Sequence, residues 1–235
     1  MRILAVDTSA SVASCAVVED EKLVCEQILN NKLTHSQTIM PMIASALTQS
    51  ELTAADIDLF AAVTGPGSFT GLRIGVSAVK ALAHAVGKPC AAVSALEAMA
   101  YNFICSDCII APIMDARRGQ VYNALYRAQN LSLKEIAAPR AIGIEECCGE
   151  LEKIGGRVIF LGDGLPVHRE IIRERLGSAA VFAPANLNAQ MAGSAAVLAK
   201  SKKQLHYSEL APFYLRKSQA EREYEEKQNN REEMR

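Results

Sequence analysis

Two aspartates that follow apolar segments are the first residues of this sequence that could take part in chemistry. Asp7 ends a short apolar segment at the start of the chain and is followed by Thr8 and Ser9, and Asp115 follows a second apolar segment. An acidic residue at a strand end, with hydroxyls beside it, can hold Mg²⁺ and a phosphate group. These positions therefore predict a pair of phosphate-binding loops, one in each half of the chain.

Neither loop has the full set of residues expected of a nucleotide-binding site. Arg117 and Arg118 follow Asp115, where glycine or small hydroxyl residues would favour a nucleotide, although arginines can still meet an anion. The side chains after the first strand also have a simpler interpretation, since Asp, Ser and Thr often satisfy a tight turn. We expect no cofactor in the isolated chain. The predicted vestigial phosphate-loop residues are Asp7, Thr8, Ser9, Asp115, Arg117 and Arg118.

A glycine-rich segment at residues 65–71, with the sequence GPGSFTG, leads into a long helix. Its glycines are one residue out of step with the dinucleotide fingerprint, and no Gly-Lys-Ser/Thr follows, so neither that motif nor the P-loop is present. The segment can bring backbone N–H groups to a helix start, which is a generic anion site. Glycine and proline also form a rigid turn that lets a helix pack closely.

The helix predicted at residues 71–86 has more apolar surface than one packing face requires. Its polar residues, Arg73, Ser77, Lys80 and His84, form a single thin stripe. A surface helix needs apolar residues over only about a third of its circumference. The helix is therefore either central to the core of this chain, or it packs on the sheet with one face and on another subunit with a second, which we favour. Small residues that permit close helix approach are Gly75, Ala78 and Ala81.

The elements that position these residues alternate in type, which predicts an α/β protein with mixed sheets flanked by helices. Strands are predicted at 2–6, 12–18, 23–28, 59–63, 90–93, 109–115, 121–126 and 158–161, and helices near 36–49, 71–86, 166–176 and 188–200. Pro41 fits the helix near 36–49 only if it lies near the first turn. Ser94 and Glu97 form a capping box that starts one more helix.

The same order predicts two lobes and a tail. We expect a first lobe at residues 1–104, with a three-strand meander followed by strand-helix-strand-helix, and a smaller second lobe at 105–217. Residues 218–235 hold six glutamates, four basic residues and almost nothing apolar, so they cannot build a core and are expected to be disordered.

Composition excludes several classes of protein. The formal net charge is −1, which argues against a chain that grips nucleic acid by itself. If RNA is involved, a partner holds most of it. No apolar stretch approaches the roughly 20 residues that a membrane helix needs. Without a leader, the seven cysteines indicate free thiols in a reducing cytosol. The CxxC pair Cys105 and Cys108 and the adjacent Cys147 and Cys148 lack the four ligands of a zinc site.

Several segments together resemble the TsaB (YeaZ) family. They are the residues at 7–9, GPGSFTGLRIG at 65–75, VSALEA at 93–98 and MDARRGQVYNALY at 114–126. The similarity covers about the first 130 residues, and Tyr214-Leu215-Arg216 is similar to the family's ending. The resemblance implies a two-lobed ribonuclease-H-like, actin-like (ASKHA) fold. It also implies a role in forming threonylcarbamoyladenosine beside the anticodon of tRNAs.

The resemblance implies a division of labour between subunits. In that family a paralogous subunit, TsaD, performs catalysis and holds ATP and a metal through a His-x-x-x-His motif. Here the two histidine positions are Ala95 and Met99, which cannot replace imidazole as ligands. We therefore expect a cytoplasmic, non-catalytic scaffold that pairs with TsaD, with indirect tRNA contact. A TsaE-like ATPase and a threonylcarbamoyl-AMP synthase would act alongside.

The resemblance further assigns the helices near 36–49 and 71–86 to dimerisation, either with a second copy or with TsaD. The predicted interface residues are Ile39, Met42, Ile43, Phe69, Leu72, Arg73, Gly75, Val76, Val79 and Lys80.

Two other functions stay open from the residues alone. The chain could be an enzyme acting alone, either an ATPase that uses Asp7, Thr8 and Asp115 or a metallopeptidase-like protein. It could instead be a stand-alone homodimeric binding module whose helix at 71–86 is used symmetrically, in which case Gly75→Glu should break the homodimer.

Overall fold

A computed structural model of the protein describes residues 1–31 and 33–216, so the predicted tail at 218–235 lies outside the described residues. The first half contains, in order, β1 (Arg2–Asp7), β2 (Ala13–Glu19), β3 (Lys22–Leu29), α1 (His35–Gln49), β4 (Leu59–Gly65), α2 (Phe69–Val86), β5 (Cys90–Ser94) and α3 (Ala95–Tyr101). The second half contains β6 (Ile109–Asp115), β7 (Gln120–Gln129), β8 (Ser132–Gly143), α4 (Ile144–Ile154), β9 (Val158–Leu161), α5 (Leu165–Leu176), β10 (Ala180–Phe182) and α6 (Ala192–Ala199).

These elements build two mixed five-stranded sheets, which confirms the predicted α/β class. The first has the order β3-β2-β1-β4-β5 and the second β10-β9-β6-β7-β8. In each sheet the central strand pairs antiparallel with a hairpin neighbour and parallel with the strand on its other side. The carboxyl ends of β1 and β6, where the two predicted loops begin, therefore occupy equivalent places in the two sheets.

The helices and sheets form alternating layers. Helices α1 and α2 pack on the outer surface of the first sheet, and α4 and α5 pack on the outer surface of the second. A continuous apolar core joins the inner surfaces of the two sheets through α3 and α6. Residues 192–199 lie in the range predicted for the second lobe, yet α6 packs on β1 and β2 of the first sheet.

Three elements are absent from the prediction: β8, α4 and β10. Strand β8 has only one buried residue among twelve, carries two charged residues within its first four positions, and contains Pro139. Such a segment becomes a strand because it pairs along β7 at the sheet edge, where proline is tolerated. Tertiary pairing, rather than local pattern, decides this element.

The predicted starts of α1 and α3 are confirmed to within one residue, but two details need correction. Pro41 lies inside α1, in its second turn, rather than near the first. It is exposed, so the carbonyl oxygen that it leaves without a helical donor can meet water. The capping box of α3 is half formed: the Ser94 hydroxyl accepts the Glu97 N–H at 3.5 Å, while the Glu97 carboxylate turns to Lys202 at 2.7 Å.

None of the helices in the described part of the chain is both long enough and apolar enough to cross a lipid bilayer.

Candidate functional site

The loop after β1 is closed over by the start of α2. Asp7, Thr8 and Ser9 are all fully buried. The Thr8 hydroxyl donates to the carbonyl oxygen of Gly71 at 2.7 Å, and the Ser9 carbonyl accepts the N–H of Ser68 at 2.7 Å. The Thr8 hydroxyl, one of the groups that a nucleotide phosphate would use, is thus bonded to this chain's own helix.

The spacing of the glycines explains this close approach. A Cβ atom at Gly67 would overlap the Ser9 carbonyl oxygen, one at Gly71 would overlap the Thr8 carbonyl oxygen, and one at Gly75 would overlap the Thr8 hydroxyl. Three glycines at intervals of four therefore let the loop at 7–9 lie directly against α2. The close-packing interpretation of the glycine segment is confirmed.

Asp7 retains an unusual polar environment in this closed loop. Its Oδ1 atom accepts the Ser9 N–H at 2.8 Å, while its Oδ2 atom and the Ser9 hydroxyl have no partner among the described residues. Burial raises the pKa of Asp7 above its ordinary value, and this effect outweighs the hydrogen bonds that oppose it. The carboxyl group therefore carries a desolvation cost that nothing nearby fully offsets.

The second loop, after β6, is a tight hairpin that points to solvent. Asp115 is exposed, and one of its carboxylate oxygens accepts the N–H of Arg117 at 2.8 Å. Arg117, Arg118 and Gly119 all have left-handed backbones, with φ of 64°, 55° and 71°. The arginine side chains are exposed and leave the loop with a basic tip rather than a small, hydroxyl-rich one.

Two further polar residues near this loop escaped the sequence prediction. Asp163, just after β9, accepts the backbone N–H of Asp115 at 3.3 Å. His168, in the first turn of α5, is 3% exposed, and neither ring nitrogen has a partner in the described part of the chain. Burial lowers the pKa of His168. The Gly-Asp-Gly sequence after an apolar strand was the one local signal for Asp163.

Asp163 gives a pH-dependent contribution to stability. Burial, and next the nearby Asp115 carboxylate, raise the pKa of Asp163 to about 6. The folded state therefore holds this proton more tightly than the unfolded state, whose aspartate pKa is near 4. The contribution of this group is fully favourable below pH 4, and it is lost as the pH rises through 6.

We expect Asp163→Asn to remove this loss. At pH 4 the variant and the original protein should have similar free energies of unfolding, because both side chains are neutral in the folded state and the unfolded aspartate is only partly ionised. Above pH 6 the variant should be more stable by about 1–2 kcal/mol, a value reduced from the full shift because the group is partly exposed. Urea unfolding between pH 4 and 8 measures the difference. Exposed Asp107→Asn is the control, and a pH-independent difference for Asp163→Asn would contradict this assignment.

Ala95 and Met99, which the resemblance matched to metal-binding histidines, lie in the core. Ala95 and Met99 are completely buried between the sheets, and the Met99 sulfur accepts a hydrogen bond from Gln190 at 3.5 Å. Within residues 1–31 and 33–216 there is no group of three or more side chains placed to hold a metal ion. All seven cysteines are free thiols, with Cys105 exposed and Cys108 half-buried.

Most of the predicted interface residues belong to this chain's own core. They are buried because α1 and α2 turn these side chains onto the first sheet: Ile39, Met42, Ile43, Leu72, Gly75, Val76 and Val79. Of the ten, only Phe69, Arg73 and Lys80 reach the surface. Gly75→Glu would consequently disrupt the fold at Thr8, and it cannot report on a homodimer.

The polar stripe of α2 is also engaged within the chain. After α6, residues 205–216 run back along α2, and we call this segment the strap. Lys80 Nζ donates to the Leu210 carbonyl at 3.0 Å, and the His84 ring packs on Tyr207 at 4.3 Å between centroids. Three of the four stripe residues thus hold the strap, since Arg73 does so as well.

The strap ends at the start of α2. Arg73 Nε donates to the Tyr214 hydroxyl at 3.0 Å, and the Phe69 and Tyr214 rings stack at 4.4 Å between centroids with 13° between their planes. The backbone N–H of Phe213 donates to the Thr64 carbonyl at 2.7 Å. The segment at 214–216, which resembles the family's ending, therefore fixes the end of the strap against the start of α2.

On the side away from the strap, α2 presents a surface of mostly small residues, which we call the outer face. It is continued by the exposed residues of α1, because both helices pack on the same side of the first sheet. The outer face consists of Thr70, Ile74, Ser77, Ala78, Ala81 and Ala85 of α2 with Met40, Pro41, Ala44 and Thr48 of α1. Side chains of this size permit close approach of another helix, and Met40 is 45% exposed.

Comparisons with known proteins agree with the observed fold and indicate the family of this chain. The family described as "TsaD: tRNA N6-adenosine threonylcarbamoyltransferase" matches residues 22–224. The chain is 34% identical over 228 residues to the tRNA threonylcarbamoyladenosine biosynthesis protein TsaB of Bacillus subtilis, covering 97% of this chain and 100% of the relative.

Solved structures give the same answer for the architecture. YeaZ from Pseudomonas aeruginosa superimposes with a TM-score of 0.77 at 25% identity, covering 91% of this chain and 99% of that one. Component A of the (R)-2-hydroxyglutaryl-CoA dehydratase of Acidaminococcus fermentans reaches a TM-score of 0.51 at 11% identity, covering 85% and 97%. The second likeness concerns the fold alone. Together they confirm the predicted actin-like class.

Proposed function

Because this chain belongs to the TsaB family of tRNA threonylcarbamoyladenosine biosynthesis proteins, we propose that it is a non-catalytic scaffold subunit that pairs with a TsaD-like subunit in forming threonylcarbamoyladenosine on tRNA. The observation that carries this proposal is the outer face. It is apolar or small over two adjacent helices, whereas three of the four residues in the polar stripe of α2 contact the strap.

The state of the loops supports a role without catalysis. The Thr8 hydroxyl is bonded to Gly71, the second loop ends in two arginines, and Ala95 and Met99 occupy buried apolar positions. ATP and a catalytic metal would accordingly be held by the TsaD-like subunit. The alanine side chain has no atom that can bind a metal, and the thioether of methionine is a poor substitute for imidazole.

This subunit pair would belong to a larger assembly. A TsaE-like ATPase joins it in the cytoplasm, and the same outer face can pair two copies of this chain when the TsaD-like subunit is scarce. The near-neutral charge leaves most of the grip on tRNA to the partner.

Mixing the full chain with a purified TsaD-like subunit tests the proposal. We expect a shift to a 1:1 complex on size exclusion, and formation of threonylcarbamoyladenosine that requires both proteins. Nucleotide titration and metal analysis of the chain alone should give no stoichiometric ATP or metal. If no complex forms and modification is unchanged when this chain is left out, the scaffold proposal fails. Stoichiometric ATP or metal in the chain alone would instead favour an enzyme.

A further inference from the structure

Four arginines and two exposed aromatic rings form a continuous surface across the two lobes, and we call it the arginine strip. One end lies at the start of α2, the middle is the end of the strap, and the other end is the hairpin after β6. Its members are Arg73, Phe213, Tyr214, Arg216, Arg117 and Arg118.

Direct contacts hold the strip together. Arg73 bonds the Tyr214 hydroxyl at 3.0 Å, as described above. Two residues farther along the strap, Arg216 Nη1 donates to the carbonyl oxygen of Ala116 at 3.2 Å. Ala116 is the residue just before Arg117, so the strap delivers a third guanidinium to the base of the hairpin that carries two others. The three basic groups at this end come from segments 100 residues apart in sequence.

Within the part of the chain that the structure describes, no carboxylate forms an ion pair with an arginine of the strip. None of the ion pairs found in residues 1–31 and 33–216 includes Arg73, Arg117, Arg118 or Arg216. The nearest acidic groups of the hairpin, Asp115 and Asp163, accept backbone N–H groups. In a chain whose net charge is −1, this is a local concentration of positive charge.

The aromatic rings lie between the two basic ends. Phe213 is 50% exposed and Tyr214 is 37% exposed, although the backbone that carries them is pinned to Thr64. Tyr214 is held flat against Phe69 on one side and has the Arg73 guanidinium at 5.8 Å from its ring centre. A fixed, partly exposed ring beside arginines is the arrangement on which unpaired bases stack while their phosphates meet the cations.

We propose that the arginine strip is a direct contact site for a looped, single-stranded segment of RNA. The inference rests on the proposed function and deepens it, because the RNA would be the tRNA that the complex modifies. It replaces the expectation of purely indirect tRNA contact with a local one: the partner holds most of the tRNA, and the strip engages a few nucleotides. Arg117, Arg118 and Arg216 bind phosphates, and Phe213 and Tyr214 stack on bases.

The test measures binding of a fluorescent tRNA transcript, with an adenosine beside its anticodon, to the complex of the full chain and a TsaD-like subunit. The variant is Arg117→Asn with Arg118→Asn, because asparagine tolerates the left-handed backbone of both positions. We expect about a tenfold loss of affinity near 0.1 M salt, and a salt-dependence slope reduced by about 1.4, the value for two lost phosphate contacts on a single strand. Phe213→Ala should weaken binding about tenfold with the slope unchanged.

The matched control removes two exposed arginines elsewhere. Arg127 and Arg157 lie at the opposite end of β6, beside Ile109, and neither is in an ion pair in the described part of the chain. Arg127→Gln with Arg157→Gln should leave both affinity and slope unchanged. Equal effects of the two double variants would mean a general charge effect and would overturn the proposal.

Other outcomes separate this inference from the scaffold proposal. If the strip variants weaken binding of the TsaD-like subunit but not of tRNA, the strip is a protein contact and the RNA assignment is wrong. If the unaltered chain fails to bind the subunit, the scaffold proposal fails. In that case the same tRNA titration, carried out on the original chain and the strip variants without the subunit, tests the arginine strip.

Discussion

Replacing Gly71 with alanine is expected to lower the free energy of unfolding by about 3 kcal/mol. The new methyl group would overlap the backbone carbonyl oxygen of Thr8, which is completely buried at the end of the central strand. Backbone in that position cannot move aside without shifting β1 or α2, so the helix propensity that alanine adds is outweighed. For a chain of this size the change corresponds to a fall in melting temperature of about 10 °C. Thermal and urea unfolding measure it.

Gly149→Ala supplies the matched control. Gly149 is also a helical glycine, in α4, and the nearest atom to its added methyl group would be 3.7 Å away at the end of the Arg175 side chain. This change should stabilise the protein by about 0.5–1 kcal/mol, because alanine favours the helix. A similar effect at both glycines would contradict the close-packing explanation.

A double substitution separates the two contacts of Thr8. At Gly75 the obstacle is the Thr8 hydroxyl, a side-chain atom, whereas at Gly71 it is the backbone. Thr8→Ala should therefore recover most of the stability lost in Gly75→Ala and little of that lost in Gly71→Ala. The coupling energy from the two double-mutant cycles reports this difference.

Ala81→Glu is expected to weaken binding of the TsaD-like subunit by at least about 100-fold, or 2.7 kcal/mol. Ala81 lies in the middle of the outer face, where the proposed partner helix approaches most closely. A glutamate there must be desolvated without a compensating partner, which is costly in an apolar contact. The fold should be unaffected, because the position is exposed and glutamate is a good helix former. Isothermal titration calorimetry gives the affinity, and unfolding curves check the fold.

An identical change outside the outer face is the control. Ala185 is exposed in the second half of the chain, and Ala185→Glu should leave the affinity unchanged. Sedimentation of both variants without the partner shows whether self-association uses the same face. Retention of full affinity by Ala81→Glu would remove α2 from the interface, even if the complex itself forms.

The strands and helices of the first half follow from local pattern to within one to three residues. β1 and β4 are continuous apolar segments, and α2 begins after a glycine-rich turn and ends at Gly87, whose left-handed backbone closes the helix. The second half was harder to predict. Strand β8 has only one fully buried residue and carries Pro139, so only its pairing with β7 identifies it. Asp163 and His168 also went unrecognised, because their relation to Asp115 exists only in the folded chain.

The outer face shows the same division. The residues of α2 are small or apolar nearly all the way round, so the spacing of apolar residues does not show which side faces the sheet. For this reason the predicted interface included Leu72 and Val79, which are buried. Their direction is set by the sheet on one side and by the strap on another.

By itself the sequence therefore determined the fold class, the two aspartates that follow apolar strands, and a glycine-rich turn that lets α2 pack closely. These are local or periodic features, so the types and spacing of nearby residues are enough to predict them. Only the tertiary structure decided which side of α2 is free, because the strap that contacts Arg73, Lys80 and His84 returns from residues more than a hundred positions later. It also decided that Arg216 meets the hairpin of Arg117 and Arg118, since contacts between distant segments leave no periodic trace in the sequence.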